Sequence, residues 1–224
     1  MESLEAELDR AGELDVAELA DAIESIGFEC TRCGACCKAE TCGSEGENGD
    51  TEPHTATAFP GEISRIQARD DYDWRDVARP MPYGLTEDEG EPGGETFEWA
   101  LQTDSCGDCT FYAEDEDGTG ACTVHEDRPL ICQTYPFSVA LGGTSQPMGE
   151  AVDEEGMVRA HECEGLGRDI SRADAEDLAR ALKERAIREL EEAIGVRENY
   201  EPVESDDVVV YDSDGPKRID GTPY

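Results

Sequence analysis

Four cysteines stand within eight residues near the start of the chain, and that density points to metal chemistry. Residues 30–37 have the sequence CTRCGACC. A single cysteine packs well as a small hydrophobe, but four in one octapeptide leave too little apolar volume for that role. Chelation or redox chemistry through thiolates explains the stretch more simply.

The spacing within this stretch suits a tetrahedral ion. Zn–S bonds of about 2.3 Å place two thiolates roughly 3.8 Å apart, and two intervening residues let a tight turn reach that distance. Gly34 can adopt positive φ, which lets backbone N–H groups turn towards the sulfurs. A helix would also gather the thiols, because Cys30, Cys33 and Cys37 would share one stripe. Neighbouring side chains diverge, so we expect one of Cys36 and Cys37 to serve a second site.

Later cysteines bring the candidate ligands to eight. We set aside Cys42, in a polar loop, and Cys106, although Cys106-x2-Cys109 is itself a knuckle that could replace one of the eight. The candidate metal ligands are Cys30, Cys33, Cys36, Cys37, Cys109, Cys122, Cys132 and Cys163. Eight is twice four, which suits two all-thiolate sites or one polynuclear cluster with spare ligands.

Two cofactors fit this ligand set, an iron-sulfur cluster and Zn²⁺. Cys30-x2-Cys33-x2-Cys36 reproduces the first spacings of a ferredoxin-type run, but the C-x3-C-P end is absent. Zinc sites more often pair two C-x2-C knuckles, here Cys30/Cys33 with Cys106/Cys109. We favour iron-sulfur, because three evenly spaced thiols fit three corners of a cubane, and the zinc alternative stays open.

The charge of the chain excludes several partners. The formal net charge is -38, from 56 acidic and 18 basic residues. Such a surface repels phosphates, so we expect neither nucleic acid nor anionic membrane as a partner. An acid excess spread over the whole length predicts adaptation to molar salt, where the Debye length falls to about 3 Å and self-repulsion is screened. With 37% hydrophobic residues the chain is not predicted to be disordered.

The termini and the long uncharged run indicate a cytoplasmic protein. Residues 1–15 carry acids and lack the apolar stretch of a secretory signal. The longest run without charge, 130–149, contains prolines and glycines that do not allow a membrane helix. In a reducing compartment, ten cysteines favour metal binding over disulfides.

Helices are predicted on both sides of the cysteine-rich region. Apolar residues at helical spacing over 4–11 predict a first helix, and Asp15 caps a second one that ends at Gly27. Ser171 caps a long amphipathic helix that reaches about Gly195. These helices must hold the cysteine-rich segments against a core.

Between and after these helices the elements are short. The acidic, glycine-rich segment 86–95 predicts a loop, and 115–120 has the composition of a hairpin turn. An edge strand at 208–211 would lie in an otherwise loose C-terminal tail. Short helices are predicted from Pro60 and Trp74, and further strands at 96–101, 109–112 and 157–160.

The fold class that follows is α+β, with a small irregular cysteine-rich metal-binding core of short strands flanked by N-terminal and C-terminal helices. The predicted division is an N-terminal helical segment at 1–27, a cysteine-cluster metal-binding domain at 28–168, a C-terminal amphipathic helix at 169–199 and an acidic tail at 200–224.

The order of the motifs resembles the YkgJ-type cysteine-cluster family, whose CxxCxxCC domain is regarded as zinc- or iron-chelating. The resemblance covers residues 28–168 and implies metal binding. Its motifs here are Cys30-x2-Cys33-Gly34-x-Cys36-Cys37, Cys109-x-Phe111, Cys122, Arg128-Pro129-x2-Cys132, Tyr135-Pro136-Phe137 and Cys163-x-Gly165-x-Gly167.

The chain departs from the family pattern at three positions. Cys42 and Cys106 are extra, and His125 stands where the family often has an aromatic residue. We expect His125 to pack or to form a hydrogen bond rather than to bind metal. Arg128 and Tyr135 are candidates to orient a substrate beside an open metal site, and a buried Arg–carboxylate brace is the plainer role for the arginine.

Three function classes remain: a redox or electron-transfer protein, a zinc-stabilised structural or interaction module, and a protein-modifying enzyme. The family domain also occurs in flagellin lysine N-methylases. This chain has neither a glycine-rich strand-turn-helix for S-adenosylmethionine nor a C-x3-C-x2-C radical motif, which disfavours methyl transfer. A closed thiolate site would argue for structure or electron transfer, an open one for catalysis, including an Fe-S oxidoreductase-like activity. The sequence leaves the protein partner open.

Overall fold

The computed structural model describes residues 3–39, 52–88, 91–141, 151–153 and 156–224, so Cys42 lies outside the described residues. The helices are α1 (Leu4–Glu13), α2 (Val16–Ile26), α3 (Pro60–Asp70), α4 (Trp74–Val77), α5 (Leu130–Thr134) and α6 (Arg172–Asn199). The strands are β1 (Thr57–Ala58), β2 (Ala78–Pro80), β3 (Leu85–Asp88), β4 (Glu91–Thr96), β5 (Trp99–Leu101), β6 (Tyr112–Glu114), β7 (Gly120–Cys122), β8 (Phe137–Val139), β9 (Ala151–Asp153), β10 (Val158–His161), β11 (Val209–Asp212) and β12 (Gly215–Lys217). Helices at both ends and small sheets between them confirm the α+β class.

Helices α2 and α6 begin where the capping residues predict, and α2 also ends there. The Asp15 carboxylate accepts hydrogen bonds from the N–H groups of Ala17, at 2.7 Å, and Glu18, which satisfies two donors that the first turn of α2 leaves without a helical partner. Gly27 ends α2 with φ 79°, and its N–H donates to the Ile23 carbonyl. The Ser171 hydroxyl donates a hydrogen bond to the Asp174 carboxylate at the start of α6. This helix continues four residues beyond its predicted end near Gly195.

The chain forms two compact units. The first contains Met1–Cys33 and Leu130–Glu191, and the second contains Gly34–Pro129 and Glu192–Tyr224. The division therefore passes through the cysteine motif, between Cys33 and Gly34. The four-part division at 28, 169 and 200 stays a prediction.

The first unit has one apolar core, formed by α1, α2, α6 and a three-stranded antiparallel sheet of order β8-β10-β9. Ile23 of α2, Leu182 and Leu190 of α6 and Phe137 of β8 are almost fully buried in it. The buried stripe of α6 is completed by alanines rather than by the larger residues Leu178 and Ile187, which lie partly buried at its border. Small side chains therefore make up much of the buried face of this helix.

Arg185 is the buried cation of this unit. Its side chain is 3% exposed, and its Nε donates to Glu189 at 2.7 Å. One terminal nitrogen donates to the Thr134 hydroxyl at 3.1 Å and to the Phe137 carbonyl at 3.3 Å. A buried Arg–carboxylate brace was expected at Arg128, and the structure has one at Arg185, where it joins α6 to the end of α5.

The second unit contains three sheets. Their orders are β1-β5-β2, β12-β11-β4-β3 and the two-stranded β6-β7. Within this unit Trp99 is buried, and its indole N–H donates to Asp212 at 2.9 Å. The β6-β7 hairpin turns at 115–120 as predicted, with the Asp115 carboxylate accepting from the N–H of Thr119.

The predictions of a loop at 86–95 and of a loose C-terminal tail with an edge strand are wrong. The expected loop at 86–95 is the β3–β4 hairpin, in which Gly93 and Gly94 pair with Thr86 and Leu85. The C-terminal tail is not loose, because Val209 and Tyr211 are buried in β11. That strand lies inside its sheet, parallel to β4 and antiparallel to β12, rather than at an edge. Backbone pairing to a distant strand outweighs the acidic composition of the segment.

In the part of the chain that the structure describes, every helix is too short or too polar to cross a membrane.

Candidate metal centres

The eight candidate ligands divide equally between the two units. Cys30, Cys33, Cys132 and Cys163 belong to the first unit, and Cys36, Cys37, Cys109 and Cys122 belong to the second. None of these eight cysteines, all of which lie in the described part of the chain, forms a disulfide.

A tight turn, not a helix, presents the second pair of the motif. Gly34 is left-handed, with φ 77°, and residues 35–37 form one turn of 3-10 helix. The Cys37 N–H donates to the Gly34 carbonyl at 2.8 Å and closes the turn. Of the two conformations that the sequence allowed, the turn around Gly34 is the one observed.

This turn holds the two adjacent sulfurs together. The Sγ atoms of Cys36 and Cys37 are 3.9 Å apart. The expectation that these adjacent side chains diverge is therefore wrong for their sulfur atoms. The Cys37 thiol, by hydrogen bonding, and the charge of Arg128 both help to lower the pKa of Cys36 to about 7. A thiolate, the form that binds metal, is thus accessible near neutral pH.

Cys109 and Cys122 are the other two thiols of this unit. The Cys109 N–H donates to the Cys37 carbonyl at 2.8 Å, which fixes the two segments to each other. Cys122 lies in β7, opposite Tyr112 of β6. Burial raises the pKa of Cys109 to about 11 and raises that of Cys122, while the negative charge of Cys36 acts in the same direction on both.

Two arginines of the second unit act on these thiols. The charges of Arg128 and Arg69 oppose the rise in the pKa of Cys122. Arg69 pairs with Asp127 at 2.7 Å, and Arg128 donates to Nε2 of His125. His125 thus makes the kind of hydrogen bond that was expected of it.

In the first unit, Cys163 has the backbone environment of a metal knuckle. Its sulfur accepts a hydrogen bond from the Gly165 N–H at 3.4 Å. The Gly165 carbonyl accepts from the Glu29 N–H at 3.0 Å, next to Cys30. A Cβ at position 165 would collide with the Glu29 carbonyl oxygen. Only glycine lets these two cysteine-bearing segments come this close.

The remaining thiols of this unit differ in exposure. Cys30 is exposed, whereas Cys33 and Cys132 are half-buried. Cys132 lies in α5, whose end is held by the contact of Arg185 with Thr134. Tyr135, next to this helix, donates its hydroxyl hydrogen to the Glu162 carbonyl, one residue before Cys163. Tyr135 thus links the Cys132 and Cys163 segments.

Cys106, one of the two cysteines set aside above, lies in a polar turn of the second unit. It is exposed, and its N–H donates to the Asp104 carboxylate at 2.8 Å. His54 contacts this turn: it is half-buried, and its N–H donates to the Gly107 carbonyl. Burial and the charge of Arg79 lower the pKa of His54 to about 4.

Among the described residues, no three cysteine, histidine or carboxylate side chains are arranged closely enough to hold a metal ion. The donor set of each unit nevertheless fits zinc or iron in its chemistry, because it has four sulfurs. In the second unit one pair of sulfurs, Cys36 and Cys37, is already at ligand spacing. Binding would require the other sulfurs to come closer together.

The comparisons with known proteins gave one match. The model of the CxxCxxCC family, described as a "putative zinc- or iron-chelating domain", matches residues 29–164, more than half of the chain. Neither the curated proteins nor the solved structures gave a significant match.

Proposed function

We propose that this chain, which belongs to the CxxCxxCC family, binds two metal ions, each through four thiolates of one compact unit. The family domain is zinc- or iron-chelating. In the first unit the ligands are Cys30, Cys33, Cys132 and Cys163. In the second they are Cys36, Cys37, Cys109 and Cys122. The equal division of the candidates between the units supports two centres rather than one shared cluster.

The distance between the sulfurs of Cys36 and Cys37 carries the choice of metal. Their separation of 3.9 Å is close to the roughly 3.8 Å between two thiolates on one tetrahedral ion. In a four-iron cubane each cysteine binds a different iron, and its thiolates stand farther apart. The observed pair therefore favours a single ion over a cubane, and we propose Zn²⁺ because structural zinc sites commonly take four thiolates.

The proposed role of both ions is to stabilise the fold. Each unit draws its four cysteines from segments far apart in sequence, so a bound ion would cross-link those segments. Structural zinc sites contribute folding free energy directly, because the unfolded chain does not preform them. With four thiolates the coordination sphere is closed, which leaves no position for a substrate and argues against catalysis at the metal.

In this arrangement the protein groups hold and shape the thiolates. The Gly165 N–H donates to the Cys163 sulfur, which stabilises negative charge there. Arg128 favours the charged form of Cys36. Four thiolates around a divalent ion leave an excess of negative charge, so nearby cations and N–H donors are needed in a chain that is already strongly acidic.

A second candidate, an iron-sulfur electron-transfer protein, is supported by the ferredoxin-type spacing of Cys30, Cys33 and Cys36. The assignment of Cys30 and Cys33 to one unit and of Cys36 to the other makes it the weaker proposal.

Metal and sulfide analysis of the protein purified without oxygen separates the two candidates. We expect two equivalents of zinc per chain, no acid-labile sulfide and no visible absorbance. Iron accompanied by sulfide and a visible band that bleaches on reduction would overturn the zinc proposal in favour of the second candidate.

A further inference from the structure

Tyr112 contacts each of the segments that carry the thiols of the second unit. Its N–H donates to the Cys109 carbonyl at 2.9 Å, and in the β6–β7 ladder it is the partner of Cys122. Its ring and hydroxyl cover Gly34, the residue on which the Cys36–Cys37 turn begins. Tyr112 is thus placed between the candidate ligands while offering no ligand atom of its own to the thiolate set.

The tyrosine hydroxyl is tied back to this same turn. It donates to a carboxylate oxygen of Glu114 at 2.6 Å. That oxygen also pairs with the ammonium of Lys38, which directly follows Cys37. The ammonium stands 5.0 Å from the centre of the Tyr112 ring, within the range of a cation–π contact. The contacts form a closed path from Gly34 through Tyr112 and Glu114 to Lys38.

Glycine at position 34 is what lets the ring approach. A Cβ there would collide with the Tyr112 hydroxyl, and φ is 77°, a conformation that disfavours other residues. The turn therefore rests directly on the tyrosine, so a shift of the tyrosine must shift the turn.

We propose that Tyr112 is a positioning residue of the metal centre in the second unit. The contacts of its hydroxyl with Glu114, and of Glu114 with Lys38, are called the tether below. The tether sets where the Cys36 and Cys37 sulfurs lie relative to Cys109 and Cys122. This inference rests on the proposed function, because it concerns the geometry of that centre. Residues that orient metal ligands from outside the coordination sphere change metal affinity by about 10- to 100-fold when they are mutated.

The tether should affect the geometry of the site more than the stability of the fold. Lys38 and Glu114 are about one-third exposed, at 36% and 39%, and exposed ion pairs contribute little to folding. Loss of the tyrosine hydroxyl should therefore weaken metal binding while leaving the melting temperature of the metal-free chain almost unchanged. A purely structural tyrosine would show the opposite pattern.

The test compares Tyr112→Phe with Tyr72→Phe, a matched loss of one hydroxyl in the same unit. The Tyr72 ring packs edge-on against Phe111 at 5.7 Å. Each zinc-loaded protein is titrated with a chromophoric chelator, and the release of each equivalent is followed. Cobalt substitution supplies a second readout, since the visible bands of bound Co²⁺ report the geometry of the site.

We expect Tyr112→Phe to release one of the two equivalents about 10- to 100-fold more readily, with altered cobalt bands, and Tyr72→Phe to match the unmodified protein. Glu114→Gln, which weakens the tether without touching the ring, should reproduce the effect in part. Unchanged affinity and cobalt bands in both Tyr112→Phe and Glu114→Gln, with two equivalents bound throughout, would overturn this inference alone. An unmodified protein that binds fewer than two equivalents would overturn it together with the proposed function.

Discussion

At the scale of single residues, the arrangement of the candidate ligands depends on backbone conformation. Gly34 is left-handed and residues 35–37 form a single 3-10 turn. In this turn the Sγ atoms of Cys36 and Cys37 lie 3.9 Å apart, although adjacent side chains ordinarily point apart. Thiols of the same unit also differ in acidity. Cys109 is buried and has a raised pKa, while Cys36 has a lowered one. A metal ion that binds both must displace the proton from the less acidic thiol, so its affinity should increase with pH.

His54 gives a prediction about pH that is independent of metal. Its pKa is about 4 in the fold, against an ordinary value near 6.5, because burial and Arg79 disfavour the imidazolium. Between these two values the unfolded chain binds more protons than the folded chain. Stability is therefore lost as the pH falls from about 6.5 towards 4, and it is regained as the pH rises.

The His54→Gln variant isolates this contribution from that of the many carboxylates. When the pH falls from 7 to 4.5, we expect the unfolding free energy of the unmodified protein to fall by about 1–2 kcal/mol more than that of the variant. Urea unfolding at the two pH values measures it. A difference that does not change with pH would show that His54 is not held neutral by the fold.

At the scale of elements, local signals predicted the helices well and the sheets poorly. Asp15 and Gly27 delimit α2, since a cap depends on atoms within four residues of it. The segment 86–95 was assigned to a loop from its glycines and acids, yet it pairs as a hairpin. Strand β11 pairs with β4, more than a hundred residues earlier, and nothing in the local composition identifies that partner.

The site was predictable to the same extent. The identity of the cysteines followed from spacing, and that assignment stays a prediction. Sequence spacing does not show which cysteines share a unit, because that depends on long-range contacts. The structure groups Cys33 with Cys163 in one unit and Cys37 with Cys122 in the other. Gly165 was identified only as part of the last motif of the resemblance. In the structure its small size allows the close approach of the Glu29 segment, a contact that the motif does not contain.

Gly165→Ala tests this close approach between elements. The added Cβ would collide with the Glu29 carbonyl oxygen, so the two backbones would have to separate. We expect a loss of about 1–3 kcal/mol of unfolding free energy, together with weaker metal binding in the first unit. Gly12→Ala is the matched control, because a Cβ there meets nothing within 4 Å and position 12 lies inside α1.

The control should be stabilised by about 0.5–1 kcal/mol, since alanine favours a helix more than glycine does. Thermal unfolding of the two variants under the same conditions gives the comparison. Equal stability of Gly165→Ala and the unmodified protein would show that the two segments need not lie so close.

At the scale of the whole molecule, the dominant physical quantity is the net charge of -38 on 224 residues. Like charges across the surface favour expansion of the chain, and ion pairs such as that of Arg172 with Glu176, at 3.0 Å, offset only part of this repulsion. Metal cross-links would oppose the same expansion. The two effects predict that bound metal matters most at low salt.

The salt dependence of stability follows directly. Raising KCl from about 0.1 M to 1 M shortens the Debye length from roughly 10 Å to 3 Å, and we expect the melting temperature to rise steeply over that range. The rise should be larger for metal-free protein than for metal-loaded protein, because the ions already hold the segments together. A melting temperature independent of KCl in both forms would contradict the expected adaptation to molar salt.

The central claim is that one octapeptide supplies ligands to two separate ions, and the metal content of two serine variants tests it most directly. Cys33→Ser alters the first unit and Cys37→Ser the second, although the residues are only four positions apart, and Cys106→Ser serves as the control. We predict two equivalents in the unmodified protein and the control, one in each single variant and none in the Cys33→Ser/Cys37→Ser double variant, measured by native mass spectrometry. Loss of all metal in either single variant, as a single shared cluster would give, would contradict the account.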